Sequence, residues 1–221
     1  MTARTLPVRR STTNAVLSRE SDHWESNAAC RGTDGDAFFS ESKPGIARAR
    51  GVCRRCPVLV ECLENQQAMD GNSYQWGVGG GLSAAQRRAL VMEAALGNHP
   101  NLVLARLLVS PRWSRRVRDL GSSRGSLAGI VDGLREKGLM VDVVTVRVAV
   151  WWLGGDGSRM VRGTHWRRQL RDHLDTVITL REKGASYSDI ALYLGLPPKE
   201  SGARALSELM LSVTAELEMA A

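Results

Sequence analysis

The sequence has little that would place it in a membrane or cross-link it outside a cell. Only four of its 221 residues are cysteine and none lies beyond Cys62, so no disulfide framework runs through the chain. It lacks any apolar run of the roughly 18 residues that a bilayer span requires. Arg4, Arg9, Arg10 and Arg19 are followed by no continuous apolar stretch, so the N-terminus does not read as a secretory signal and a cytoplasmic location is expected. Histidine is sparse: His23, His99, His165 and His173 are scattered, no nucleophile stands beside a base, and no loop cradles phosphate, so no enzyme is expected.

What is present fits a globular chain of one or two domains, with 43% hydrophobic and 24% charged residues, a balance that argues against disorder and collagen-like repeats. Lys and Arg number 30 against 23 Asp and Glu, a net charge of +7, which favours polyanionic partners such as nucleic acid. The excess is uneven: residues 1–96 carry 12 basic and 10 acidic residues, and residues 97–221 carry 18 and 13.

Residues 1–21 are polar, show no period and read as a mobile basic arm. Ile46, Ala47 and Val52 suggest a short helix entering the second cysteine, and Val58, Leu59, Cys62, Leu63, Gln66 and Met69 recur at helical spacing. Asp70 to Ser73 should end that helix, and Gly77 to Gly81 forms a tight turn. Ser83 with Gln86 three residues on predicts a capping box that opens another helix, and Gly97 to Pro100 ends it, placing a boundary after residue 96. Further on, Leu134-Arg-Glu-Lys-Gly138 recurs as Leu180-Arg-Glu-Lys-Gly184, each closing a helix at glycine. The β-branched stretch Val141 to Val150 is compatible with a strand or with a buried helix.

The four cysteines form a local constellation: Cys30 alone, Cys53 and Cys56 in a Cys-x-x-Cys pair followed by Pro57, then Cys62. The pair lets two thiolates reach one centre from a single turn while distant cysteines close it from other segments. Four thiolates complete the shell of a tetrahedral zinc or of a 4Fe-4S cluster. Arg31, Arg54 and Arg55 alongside are expected to lower the thiol pKa values and offset the negative charge. A redox-active Cys53/Cys56 pair is a third reading, although the βαβ context of such pairs is missing.

The combination of Asp22-His23-Trp24, Ala28-Ala29-Cys30-Arg31, Phe38-Phe39, Val52-Cys53-Arg54-Arg55-Cys56-Pro57-Val58, Glu61-Cys62-Leu63 and the glycine turn before Leu82-Ser83 resembles the WhiB-like (Wbl) regulators of actinobacteria and their phages. The likeness covers about residues 22–92. It implies that Cys30, Cys53, Cys56 and Cys62 hold one oxygen- and nitric oxide-sensitive 4Fe-4S cluster in a small helical domain (22–96), with disulfide chemistry open to the apo form. It also implies a transcriptional regulator that docks on the C-terminal domain of the primary sigma factor and touches promoter DNA. Trp24, Trp76, Val78, Gly79 and Gly80 are then the sigma-contact candidates. The turn departs from the family pattern, because Gly79 stands where the family carries tryptophan. The chain also continues far past the short basic segment, here only Arg87 and Arg88, that often ends such proteins.

The extension (97–221) carries two arginine runs. Arg106, Arg112, Arg115, Arg116 and Arg118 include no acid and interleave Trp113, and Arg159, Arg162, Arg167, Arg168 and Arg171 surround Trp166. Such runs suit phosphate contact; a solvated basic face is the plainer alternative. Residues 175–213 are similar to a helix-turn-helix, with Ala191 at the close packing, Gly195 in the turn, and Lys199, Ser201 and Arg204 opening the recognition helix. A dimerisation bundle fits the same residues. The expected whole is mainly α: an arm, a four-cysteine domain and a helical extension. The expected function is a redox- or nitric oxide-responsive regulator acting on DNA or sigma factor, with a zinc-stabilised nucleic-acid adaptor and an apo-form disulfide reductase as alternatives.

Overall fold

The computed structural model describes residues 23–69, 76–155, 170–196 and 200–220. The arm and the candidates Arg167, Arg168 and Lys199 lie outside them. The described residues are mainly α-helical, with one two-stranded sheet among them. Single-turn 3₁₀ segments at Trp24–Asn27 and Gly35–Phe38 precede α1 (Lys43–Cys53) and α2 (Leu59–Met69). A hairpin of β1 (Val78–Gly79) and β2 (Leu82–Ser83) leads into α3 (Ala84–Ala95). The extension adds α4 (Leu102–Leu108), α5 (Pro111–Arg124), α6 (Leu127–Arg135), α7 (Val143–Trp152), a 3₁₀ turn (Leu170–His173), α8 (Leu174–Glu182), α9 (Tyr187–Leu194) and α10 (Glu200–Ala220).

Local sequence accounts for most boundaries. Ser42 Oγ accepts from Gly45 N to cap α1, Asn101 Oδ1 from Leu104 N for α4, Ser126 Oγ from Gly129 N for α6, and Ser186 Oγ from Asp189 N for α9. Ser83 N–H donates to Gln86 Oε1 at 3.1 Å, the backbone half of the expected box at α3. The repeated pentapeptide is a repeated stop. Gly138 and Gly184 both take positive φ, and Leu139 and Ala185 donate back to the carbonyls of Leu134 and Leu180, which anchor the two caps in the core.

The ambiguous stretch Val141 to Val150 is helical from Val143 onward. Asp142 caps α7 by accepting from Thr145 N at 2.7 Å, and eight of the ten residues of α7 are buried. A helix that is apolar on nearly every side belongs at the centre of its fold, and burial there outweighs the strand preference of valine. Around α7 lie α4 and α6, and its last residue reaches the β1–β2 hairpin. The buried apolar residues form one cluster from Cys56 through Trp152 to Leu206, so residues on both sides of position 97 share a core.

Polar groups cross that same division. Glu93 of α3 and Arg147 of α7 are both almost fully buried and form an ion pair, Asn98 donates to Glu93 Oε2 at 3.0 Å, and the Tyr193 hydroxyl donates to Glu93 Oε1 at 3.0 Å. Burial first, then the Glu93 carboxylate, pushes the Tyr193 phenol above its ordinary value. At the surface Arg88 of α3 pairs with Asp189 of α9 at 3.5 Å. Helix α10 runs past residue 213, the expected end of the helix-turn-helix, to Ala220.

Candidate metal centre

The first cysteine follows the 3₁₀ turn at Trp24–Asn27, Cys53 ends α1, Cys56 closes the turn after it, and Cys62 lies one turn into α2. All four line one cavity of about 270 Å³, together with Trp24, Ala28, Arg31, Val52, Leu59 and Gly80. The thiols surround this space instead of meeting at a point: among the described residues no three His, Cys, Asp or Glu side chains are placed to share a single ion.

Backbone donors are aimed at the sulfurs. Ala29 N–H donates to Cys56 Sγ at 3.4 Å and Gly80 N–H to Cys62 Sγ at 3.3 Å, and the Gly81 N–H is directed toward Cys53, where it favours the thiolate. Burial is the largest influence on two of the thiols: it pushes Cys53 up to about 11 and Cys62 upward, against the pull of those N–H groups, and the neighbouring thiols add to the rise. The expected lowering of the thiol pKa values by neighbouring arginines is therefore outweighed by burial at Cys53 and Cys62, and Arg87 is an arginine that favours the Cys62 thiolate. Cys53 and Cys62, desolvated and held neutral on their own, sit with buried Cys56 and exposed Cys30 around one space into which N–H donors point, a donor set suited to a soft positive centre.

The glycines explain how the hairpin comes so close. Gly80 and Gly81 both have positive φ, +55° and +73°, as a two-residue primed turn requires. A Cβ on Gly80 would lie 2.6 Å from Leu63 Cα, and one on Gly81 would lie 2.9 Å from Trp152 Cδ1. Arg87 is 1% exposed and donates to the carbonyls of Trp76, Gly77 and Leu82, which pins the hairpin from the other side. Neither Arg87 nor its neighbour Arg88 is a free basic tail.

The sigma-contact candidates divide. Trp76 is 58% exposed and presents a face to solvent. Val78 and Gly80 are buried inside the hairpin packing, and Trp24 is half-buried on the wall of the cysteine cavity, so these three are not free docking residues. A Cβ on Gly79 would meet the end of the Gln66 side chain at 2.8 Å, so Gln66 occupies part of the space next to the absent tryptophan side chain. Phe39, 64% exposed, lies beside Gly77, the residue after Trp76; sequence reasoning missed it, and its place in the Phe38-Phe39 pair is the signal that could have found it.

Of the DNA candidates, Arg112, Arg115 and Arg116 are exposed on α5, with the Arg112 guanidinium 5.9 Å from the Trp113 ring centre, and none forms an ion pair with a described residue. Ser201 and Arg204 are exposed at the start of α10, and Arg204 pairs with Glu208 at 2.9 Å. Arg106 leaves the basic stripe: its guanidinium donates to the carbonyls of Arg54 and Cys56 at 3.2 and 3.1 Å. Sequence reasoning missed this role and that of Trp152, since neither has a neighbour that signals a contact some 50 or 70 residues away.

A small helical fold with four cysteines lining one cavity, closed by a glycine hairpin, defines the class of protein by its cysteine cavity. A family model described as transcription factor WhiB matches residues 24–90. The chain is 38% identical over 86 residues to transcriptional regulator WhiB4 of Mycobacterium marinum, covering 39% of this chain and 66% of that protein. It is 41% identical over 69 residues to WhiB2 of Mycobacterium tuberculosis (31% and 74%) and 40% identical over 67 residues to WhiB of Streptomyces coelicolor (30% and 74%). The chain therefore belongs to the WhiB family of transcriptional regulators. No solved structure matches it. Among the described residues no helix is long and apolar enough to cross a membrane.

Proposed function

We propose that this WhiB-family chain is a redox- or nitric oxide-responsive regulator whose four cysteines hold a 4Fe-4S cluster. The observation that carries the reading is the single cavity lined by Cys30, Cys53, Cys56 and Cys62, with N–H groups of Ala29, Gly80 and Gly81 directed at three of the sulfurs. Hydrogen bonds to sulfur stabilise thiolate and offset the negative charge of a four-thiolate site. When bound, the cluster supplies a centre with which oxygen or nitric oxide reacts.

The chain does the rest. Ligation would tie the N-terminal 3₁₀ segment, the end of α1 and the start of α2 to one point, and release of the thiols loosens all three at once. The glycine hairpin that touches Cys53 and Cys62 also carries exposed Trp76, with Phe39 beside Gly77, so cluster loss is felt where a sigma factor would dock. Nucleic acid is engaged by the extension, with Arg112, Arg115 and Arg116 of α5 on phosphates and the start of α10 as the candidate base reader.

Anaerobic purification with iron, acid-labile sulfide and zinc analysis is the test. About four iron and four sulfide per chain, with visible absorption that bleaches on exposure to air or nitric oxide, is the expected result. A colourless protein with one zinc per chain replaces the cluster with a structural metal, and metal-free protein that reduces disulfides through Cys53 and Cys56 makes it a thiol reductase.

A further inference from the structure

The cysteine cavity is not finished by the segment that carries its cysteines. Trp152, the last residue of α7, is buried, and its indole N–H donates to the carbonyl of Gly80 at 2.8 Å. The N–H of that same peptide group, belonging to Gly81, is directed toward Cys53 and favours its thiolate. One peptide plane therefore links the indole on one side to the sulfur on the other. A carbonyl that accepts a hydrogen bond makes its own amide a stronger donor, so the indole bond strengthens the pull of the Gly81 N–H on the sulfur.

A second connection reaches the same loop. Arg106 of α4 donates to the carbonyls of Arg54 and Cys56, the residue after Cys53 and the second cysteine of the pair. Arg54 in turn donates its Nε–H to the Trp152 carbonyl at 2.9 Å. Trp152, Arg54 and Arg106 thus bind the extension to the Cys53–Cys56 loop and to the hairpin in a continuous set of hydrogen bonds. Trp152 and Arg106 both lie beyond residue 90, where the family match ends.

We infer that Trp152 and Arg106 are positioning residues of the cysteine centre, and that the extension is a structural wall of that centre as well as a candidate nucleic-acid reader. The inference rests on the metal-centre reading given above, and its consequence runs both ways. Removing the hydrogen bonds of Trp152 or Arg106 loosens the thiols, and loss of the centre frees the hairpin and the loop to move against α4 and α7.

Trp151 supplies a matched control. It is buried next to Trp152, but its indole N–H has no hydrogen-bond partner among the described residues, so Trp151→Phe changes volume without removing a bond whereas Trp152→Phe removes one. The full-length chain would be loaded anaerobically, and iron loss to a chelator followed by visible absorption for wild type, W152F, W151F and R106K. W152F and R106K should lose iron about fivefold faster than W151F and wild type, the factor that one buried hydrogen bond is worth. Lysine at 106 keeps the charge but lacks the planar fork whose two terminal nitrogens each reach one carbonyl. In parallel, maleimide labelling of the metal-free chains, read by mass spectrometry, should show Cys53 and Cys56 labelled faster in W152F and R106K and unchanged in W151F. Equal iron loss and equal labelling across all four chains would overturn the inference. A wild-type chain that takes up no iron refutes the cluster reading alone, and the labelling of Cys53 and Cys56 then decides the positioning roles by itself.

Discussion

Replacing Arg147 with methionine removes the cation that faces Glu93 in the interior while filling nearly the same space. Glu93 would keep Asn98 and Tyr193 as donors and would otherwise be a carboxylate held almost entirely out of water. Breaking one side of such a pair costs about 3–5 kcal/mol, most of it the penalty of the charge left behind. For a chain of this length, that lowers the melting temperature by roughly 10 °C or more. Glu93→Gln in the same background takes the stranded charge away, so the double variant should recover about 2 kcal/mol relative to the sum of the single losses. The assay is thermal unfolding of the full chain by circular dichroism, paired with limited proteolysis to locate what opens first. Because Glu93 belongs to α3 and Arg147 to α7, R147M should open both sides of position 97 in one transition. Additive single losses, or proteolysis of the extension with residues 24–93 left intact, would refute the argument that the two parts share one charged core contact.

Three more outcomes rest on other parts of the fold. Tyr193→Phe removes the hydroxyl donor to Glu93 and should cost about 1 kcal/mol at neutral pH. Since the native state raises the phenol pKa by burial and by Glu93, its contribution is full below the ordinary tyrosine value near ~10 and is lost as pH rises past it. The wild-type advantage over Y193F should therefore shrink in melts taken from pH 9 to 11, and an advantage that grows would contradict the assignment. Gly80→Ala places a Cβ at positive φ, 2.5 Å from Leu63 Cβ, and should lower stability by more than the roughly 1 kcal/mol of the left-handed backbone alone. Gly79→Ala meets only the movable end of Gln66 and should be tolerated, so equal melting points for the two would count against the packing described. Neutralising Arg112, Arg115 and Arg116 together should flatten the salt dependence of DNA affinity by about 0.9 in log–log slope for each phosphate no longer neutralised; an unchanged slope in gel-shift titrations would remove α5 from the interface.

What could be read from the sequence was whatever is encoded within a few residues. The Ser83–Gln86 box, the glycine stops of the two pentapeptides and the helical spacing from Val58 to Met69 are local devices, and the box, the stops and a helix over Leu59–Met69 appear where the residues place them. The four cysteines were legible for a related reason, since their chemistry singles them out wherever they lie. Helix α7 was not legible, because valine's strand preference and a buried helix's apolarity make the same pattern until the neighbours are known. Arginine was the least legible. Arg87, Arg106 and Arg147 look like surface charge, but one holds a hairpin, one holds the cysteine loop and one neutralises a buried carboxylate. No short-range pattern distinguishes these from Arg112 or Arg115, because their partners are carbonyls or acids brought up by the tertiary fold.

The use of guanidinium groups as multi-point staples bears on how relatives sharing this extension are free to diverge. At positions 54, 87, 106 and 147 a lysine would keep the charge but supply a single ammonium in place of the Nε–H that reaches Trp152 at 54, the fork that spans two or more carbonyls at 87 and 106, and the guanidinium that fills a buried slot at 147. At 112, 115 and 116, where attraction to phosphate would be the main requirement, either residue serves. Homologues with the full-length architecture should therefore show arginine fixed at the first four positions and arginine and lysine exchanging at the last three, a pattern of substitution that separates the cations wired into the fold from those left to meet a partner.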